Sequence, residues 1–180
     1  MPLSPPAERD EIHLRRIDIR GYRRRDGLWD IEAHLTDTKS QPTNHSFRGT
    51  IPPGEPMHDM WVRLTVDDKL LIHGAEAASD MNPYPPCAGA APGLAVLKGH
   101  RIAPGWNVLV RKLLGGVKSC THLMEVLTPL ATTAYQAMAT GQPRPAPPDG
   151  RRPPRIDSCW AYASQREVVA RFWPDFYDGP

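Results

Sequence analysis

The amino-terminal part of the chain alternates apolar and polar side chains, and this pattern restricts the fold more than any other feature. The run EIHLRRIDIRGYRR alternates, Arg25-Asp26-Gly27 supplies turn residues, and LWDIEAHLTDTK alternates again. Alternation with a period of two places successive side chains on opposite faces of a β-strand. We therefore predict a β-hairpin over residues 11–39.

Two further strands are predicted downstream of this hairpin. In MWVRLTVDD the apolar residues occupy every second position, and LLIHGAEAAS follows after the turn residues Asp67-Asp68-Lys69. The intervening SQPTNHS, residues 40–46, is typical of a loop. The pattern as a whole predicts an antiparallel meander of about five strands in sequence order.

The pattern changes after Asp80. Residues 81–93, MNPYPPCAGAAPG, are rich in proline and glycine and are predicted to be irregular, and LAVLKGHRI is predicted to be a short helix. Pro104 is typical of the first turn of a helix over GWNVLVRKLL, which Gly115-Gly116 ends. From Ser119 or Thr121 onward, apolar residues recur at helical spacing in a long helix that Pro129 should kink.

Strands followed by helices indicate an α+β fold, with two or three helices packed on one face of the sheet. We expect one domain over residues 1–140, made of the hairpin at 11–39 and a core at 47–140. Residues 141–155, GQPRPAPPDGRRPPR, are predicted to be a proline-rich linker. The aromatic tail at 156–180 is expected to dock on the core or on a partner subunit, as in a homodimer formed through this arm.

The composition of the chain gives no indication of a nucleic-acid-binding, secreted or membrane protein. The formal net charge of +2 gives no indication of nucleic-acid binding. The start, MPLSPPAERDE, is polar and is not expected to be a signal peptide, and no apolar run approaches the roughly 18 residues of a membrane span. We therefore expect a cytoplasmic protein without membrane contact, in which the three cysteines are thiols or metal ligands rather than disulfides.

The segment VKSCTHLMEV, residues 117–126, is the main candidate for chemistry. Cys120 lies where the long helix is predicted to begin, so that the helix dipole and free backbone N–H groups favour its thiolate. His122 can reach the same point if the turn is tight. The pair is therefore predicted to be either two ligands of one metal ion or a nucleophile and its general base.

Two other residues could join this pair. Cys87 lies in the proline-rich segment, and His58 precedes a predicted strand, next to Asp59, which could serve as a further ligand or as a partner of one. Such a set suits one zinc or iron ion. A lone cysteine or histidine is more often a structural residue, and the spacing matches no established zinc motif.

Two residues are suggested for substrate contact, on weaker grounds than the candidate metal ligands. Tyr84 is close to Cys87 in sequence, and an arginine such as Arg23 could bind a carboxylate through two parallel hydrogen bonds. No phosphate-binding loop, serine nucleophile elbow or HExxH motif is present in the sequence, so no nucleotide cofactor is predicted.

Four segments resemble a known family. GYRRRDGLWDIEAHLTDTK, GEPMHDMWVRLTVDD, NPYPPC and GWNVLVRKLLGGVKSCTHLMEVLTPLATTAYQ are similar to the bacterial domain-of-unknown-function family numbered 2889, over about residues 10–180. This resemblance implies no particular activity.

A more distant resemblance is to the NifU/IscU-type (SufE/NifU-like) iron–sulfur scaffold core. It implies that Cys87 and Cys120 match two of the family's thiols and that His58 lies near the position of its aspartate. The first thiol of that family has no counterpart here, and its His-Cys pair is replaced by Cys-x-His. A single metal ion therefore suits the residues better than a transferable cluster.

The preferred interpretation is a small metal-binding protein whose ion is held by Cys87, Cys120 and either His122 or His58. An open coordination position would make it a hydrolase or lyase acting on a small metabolite. Two alternatives remain open: a non-catalytic scaffold or accessory protein that binds a protein partner, and a metal-free enzyme in which Cys120 is the nucleophile and His122 the base.

Overall fold

The computed structural model describes residues 3–139 and 145–179. Contacts divide the chain into two units, Met1–Met138 and Ala139–Pro180, which are described separately. The regular elements of the first unit are six strands and two α-helices: β1 His13–Arg23, β2 Trp29–Lys39, β3 Thr43–His45, β4 Gly49–Ile51, β5 Pro56–Val66, β6 Ile72–Met81, α1 Trp106–Leu114 and α2 Thr121–Met138.

The main sheet is antiparallel and has four strands in the order β1-β2-β5-β6. The predicted α+β class is therefore confirmed, but the expectation of one meander of about five strands is wrong. Between β2 and β5 the chain forms a separate two-stranded hairpin from β3 and β4, inside and beyond the stretch predicted to be a loop. Short strands of three residues carry too little alternation to be recognised from sequence.

The two faces of the sheet differ in polarity. Ile31, Ala33 and Leu35 of β2 are buried on one face, where they belong to the same apolar cluster as Met60 and Leu64 of β5. The opposite face carries polar side chains such as Glu32 and His34 of β2 and Arg63 of β5, as expected for an antiparallel sheet covered on one side. The alternation in the sequence therefore identifies the core positions of the sheet.

Helix α2 covers the buried face and makes contacts with β1, β2 and β5. A side chain at Gly21 of β1 would lie 2.7 Å from Cβ of Ala137, so the absence of one lets the end of α2 approach the strand. Trp106 of α1 donates a buried hydrogen bond of 3.0 Å from Nε1 to the carbonyl of Leu127. This bond ties α1 to the middle of α2.

The proline-rich segment after β6 is regular, contrary to the prediction. Pro85–Leu97 forms a 3₁₀-helix in which Leu94 and Leu97 are buried. The φ angle that proline imposes suits this helix, and its missing N–H is of little consequence in the first turn. The short helix predicted over LAVLKGHRI is therefore wrong beyond residue 97, since Arg101 instead forms a β-bridge with Leu71.

The second unit is small and has its own apolar cluster. Its one α-helix within the described residues, α3 Glu167–Phe172, contributes Val169 to a cluster with Ile156 and Trp173. Residues 141–144 of the predicted linker lie outside the described residues. No helix in the described ranges combines the length and the apolar character that a membrane crossing requires.

Candidate functional site

A buried carboxylate lies at one end of the sheet. Asp37 follows Ile31, Ala33 and Leu35 in the inward-facing series of β2, yet it is an acid with an exposed fraction of only 1%. A buried carboxylate is unfavourable unless charged or polar partners surround it. Asp37 and the residues around it therefore form a candidate site.

Strand β1 supplies two of these partners. Arg15 lies opposite Asp37 in the register and binds it side-on, with Nε 2.7 Å from Oδ1 and Nη2 2.8 Å from Oδ2. Nε2 of His13 is 3.1 Å from Oδ1. Burial opposes ionisation of Asp37, but the hydrogen bonds and charge of Arg15 outweigh it and hold the pKa of this carboxyl below its ordinary value.

Strand β5 brings His58 to the other side of the carboxylate. His58 pairs with Asp37 in the register, beside an irregularity in the ladder between Asp37 and Thr38. Its Nδ1 lies 3.0 Å from Oδ2 of Asp37, but the ring is turned out of line, so this buried atom makes no hydrogen bond with any described residue. Burial, reinforced by the nearby His122, lowers the pKa of His58.

Helix α2 contributes the remaining groups from its first turn. A short 3₁₀ turn at Gly116–Lys118 and an extended Ser119 lead into the helix, and Cys120 lies immediately before Thr121. Sγ of Cys120 is 3.7 Å from Nδ1 of His122. This contact, together with backbone N–H groups at the helix start, lowers the pKa of the Cys120 thiol against the opposing effect of burial.

His122 lies next to Cys120 and also approaches His58 and Asp37. Its ring lies against that of His58 with centroids 3.8 Å apart, and its Nε2 is 3.9 Å from Oδ2 of Asp37. One ligand atom from each of Asp37, His58 and His122 lies within 4.8 Å of the others, the one such group of potential metal ligands among the described residues. We refer to these three residues as the Asp-His-His group.

The structure therefore brings together three of the residues that the sequence indicated, Cys120, His122 and His58. Cys87 is not part of the Asp-His-His group: it lies in the 3₁₀-helix, half-buried, with its N–H bonded to the carbonyl of Tyr84. Asp59 points to the opposite face, where it contacts His34 rather than a residue of the group.

The two residues suggested for substrate contact lie elsewhere. Tyr84 follows the end of β6, where its exposed ring contacts those of His45 and Phe47. Arg23 lies at the far end of β1 with its guanidinium over the ring of Trp29. Arg23 is eight positions further along the strand than Arg15, which corresponds to roughly 27 Å.

Sequence reasoning did not select Asp37 or Arg15. The signal that could have identified Asp37 is its phase: in LWDIEAHLTDTK it occupies an inward position of the alternation, where an apolar residue is expected. Arg15 then follows from the hairpin register, because it faces Asp37 across the turn.

The fold and the site together define the class of protein. It is an α+β protein whose sheet is covered on one face and carries a carboxylate–imidazole group at one end. A family model described as "Protein of unknown function (DUF2889)" matches residues 13–136. The match covers more than half of the chain and includes every residue of the site, so the protein belongs to this family. No curated protein and no solved structure gives a significant match.

The resemblance to the NifU/IscU-type core is not supported. The matching family is DUF2889. The residues that converge are a carboxylate and two imidazoles, whereas the resemblance implied that Cys87 and Cys120 would act together. A shared order of strands and helices is weak grounds for relatedness, because many α+β chains have it.

Proposed function

We propose that this protein binds one zinc or iron ion through Asp37, His58 and His122 and uses it for hydrolysis or elimination on a small metabolite. The convergence of three ligand atoms from β2, β5 and α2 within 4.8 Å carries the proposal. Two imidazoles and one carboxylate form a ligand set that zinc and non-haem iron both accept, with positions left for water or substrate.

The distances from Oδ2 of Asp37 to the two imidazoles allow an ion to bind in the group after a small shift. Bonds of about 2.0–2.1 Å imply separations of roughly 2.9–3.4 Å between neighbouring ligand atoms. The 3.0 Å between Nδ1 of His58 and Oδ2 of Asp37 falls in this range. The 3.9 Å between Nε2 of His122 and the same oxygen requires a shift of about 0.5 Å.

The position of Nδ1 of His58 supports the same proposal. This buried atom faces an oxygen of Asp37 at 3.0 Å without an aligned hydrogen bond, an arrangement that an ion bound to both atoms would relieve. Arg15 already holds both oxygens of Asp37, but each carboxylate oxygen has two lone pairs and can bind Arg15 and an ion together. The ion would supply an activated water as nucleophile, and Arg15 would keep Asp37 ionised and oriented.

Metal content of matched variants tests the proposal. Chelator-treated protein is titrated with Zn²⁺ or Fe²⁺ under reducing, anaerobic conditions, and we expect one equivalent to bind. His58→Ala and His122→Ala should each weaken binding by more than the roughly 10- to 100-fold that loss of an outer partner causes. His34→Ala is the matched control, because His34 also contacts a carboxylate but on the opposite sheet face.

Cys87→Ala separates this ligand set from the one that the sequence suggested. If Asp37, His58 and His122 hold the ion, Cys87→Ala binds metal as the parent does. Loss of metal in Cys87→Ala with retention in His58→Ala would contradict the proposal. Far-UV circular dichroism of each variant shows whether a loss of binding reflects a loss of fold.

A second function is favoured by one specific observation, the line of contacts from Cys120 through His122 to Asp37. The thiol is 3.7 Å from Nδ1 of the imidazole, whose Nε2 is 3.9 Å from the carboxylate. This is the order of a nucleophile, its base and an orienting acid. In this candidate His122 takes the thiol proton, sulfur attacks an electrophilic carbon, and the leaving group departs from that carbon with the proton that His122 returns.

The two candidates share His122 but differ in their other residues. With p-nitrophenyl acetate as probe, a thiol enzyme releases a burst of nitrophenolate as the acetyl group is transferred to sulfur. In a Cys159→Ser background, a burst that Cys120→Ser abolishes and His58→Asn retains would favour the thiol enzyme. One metal equivalent that Cys120→Ser retains and His58→Asn loses would favour the metal site.

A further inference from the structure

The face of the sheet that points away from the core carries an exposed tryptophan. Trp61 of β5 points away from the core with 42% of its surface exposed. Large aromatic side chains framed by polar residues on a protein surface commonly mark binding sites. This face lies on the other side of the sheet from the Asp-His-His group, so the inference that follows is independent of the proposed function.

Trp61 is held in place by its neighbour on β2. The imidazole of His34 stacks on the indole ring with centroids 3.8 Å apart and an angle of 6° between the planes. Nε2 of His34 is in turn 2.7 Å from Oδ1 of Asp59, which fixes the orientation of the imidazole. Stacking and hydrogen bond together give an aromatic platform that is rigid before any ligand arrives.

The other face of the indole is turned toward β6. In the register His34, Trp61 and Ala78 lie side by side on three adjacent strands, and the side chain of Ala78 is only a methyl group. A cavity of about 330 Å³ occupies this place and is lined by Trp61, Ala78, Arg63, Glu76 and Glu32, among others. Its volume lies at the lower end of the range for small-molecule sites.

The charged residues at the cavity have different roles. Arg63 binds Glu32 closely, with Nε and Nη2 both 2.7 Å from Oε1. Glu76 is 72% exposed in its side chain and only loosely paired, 3.9 Å from Nη1 of Arg63. A carboxylate with spare lone pairs at the rim of an aromatic cavity can accept hydrogen bonds from N–H groups of a ligand.

We propose that this cavity binds a purine-like heteroaromatic ring, which stacks on Trp61 above Ala78 and donates adjacent N–H groups to Glu76. Stacking on a tryptophan suits any planar ring, and the carboxylate selects rings that carry donors at one edge. A guanine ring has such an edge, whereas adenine presents an acceptor beside its amino group.

Nuclear magnetic resonance titration tests the proposal with guanosine, adenosine and ribose as probes. We expect guanosine to shift the indole N–H signal of Trp61, identified by its absence in Trp61→Leu, with a dissociation constant on the order of 1 mM or tighter. Ribose should leave the signal in place. Adenosine should bind more weakly, and Glu76→Gln should remove the difference between the two nucleosides.

Ala78→Leu is the decisive variant, because it fills the cavity and keeps Trp61. Guanosine binding should fall at least about tenfold in this variant and in Trp61→Leu. Arg16→Leu is the matched control, since it places a branched side chain on the same face, on the exposed strand β1 outside the cavity, and should leave binding unchanged. Absence of a saturable shift in the parent protein, or equal binding by Ala78→Leu, would overturn the proposal.

Discussion

Replacing Asp37 by asparagine tests the description of the site most directly. The change keeps the size of the side chain and removes its charge at a position that is 1% exposed. Arg15 then loses the charge-assisted partner of its Nε and Nη2, and the amide nitrogen of asparagine cannot accept a hydrogen bond. The free energy of unfolding should therefore decrease.

The magnitude follows from the partners that remain. Removing one member of a fully buried ion pair typically costs about 3–5 kcal/mol. Arg15 is 30% exposed and retains Glu125, whose Oε2 lies 2.6 Å from Nη1. Solvent and this second carboxylate compensate part of the loss, so we expect a decrease of about 2–3 kcal/mol at neutral pH.

Urea unfolding as a function of pH provides the assay. Because the pKa of Asp37 lies below its ordinary value of 3.8, the stabilisation is present above that value and is lost as the pH falls through the pKa of the folded protein. The difference between parent and variant should thus shrink in acidic solution, as the pH falls through the range in which Asp37 is protonated.

An exposed ion pair supplies the control for this experiment. Asp18 and Arg20 form a pair on the open face of β1, and Asp18→Asn should cause no measurable change. A loss of less than about 1 kcal/mol in Asp37→Asn, typical of surface pairs, would refute the interpretation of Asp37 as a buried charge that depends on Arg15.

Three further changes test the site and the packing around it. Because the pKa of His58 is lowered in the folded protein, the unfolded state takes up a proton there more readily. The metal-free parent should therefore lose stability as the pH falls below about 6.5, and His58→Asn should remove this loss. Urea unfolding midpoints of both proteins at several pH values check this. Gly21→Ala should destabilise by about 1–3 kcal/mol because its Cβ would lie 2.7 Å from that of Ala137. Adding Ala137→Gly should relieve this clash, so the double variant should be destabilised only by about the 1 kcal/mol that glycine costs in a helix. Trp106→Phe should cost about 1–3 kcal/mol in thermal unfolding, since the carbonyl of Leu127 loses its buried donor; an unchanged melting temperature would contradict this.

The long elements could be predicted from the sequence because each repeats one period many times. Strands β1, β2, β5 and β6 each contain ten or eleven residues, and α2 contains eighteen. Short elements lack this repetition. Residues 40–46 are therefore predicted to be a loop although they contain β3, and residues 81–93 are predicted to be irregular although most of them belong to the 3₁₀-helix Pro85–Leu97. Proline and glycine occur in loops and in such helices, so their presence alone does not distinguish the two.

The site was harder to predict from the sequence than the sheet. Cys120 and His122 are two residues apart at a helix start, so their proximity follows from local geometry. The contact of Asp37 with Arg15 depends on the register of the β1–β2 hairpin. The contact of Asp37 with His58 depends on the pairing of β2 with β5, which is irregular between Asp37 and Thr38. Charge patterning alone assigns Asp37 to a solvated hairpin face, because only the phase of the strand distinguishes a buried acid from an exposed one.

The separate β3–β4 hairpin makes this protein suitable for insertion of foreign sequence close to its candidate site. The hairpin strands pair with each other and belong to no ladder of the main sheet, so a longer tip leaves the alignment of Asp37 with His58 intact. Arg48 is the residue to preserve, because it anchors the hairpin to the carbonyl of Pro56 and to Glu55. A foreign segment grafted beside Phe47, whose side chain is exposed, would thus leave the pairing of β2 with β5 unchanged.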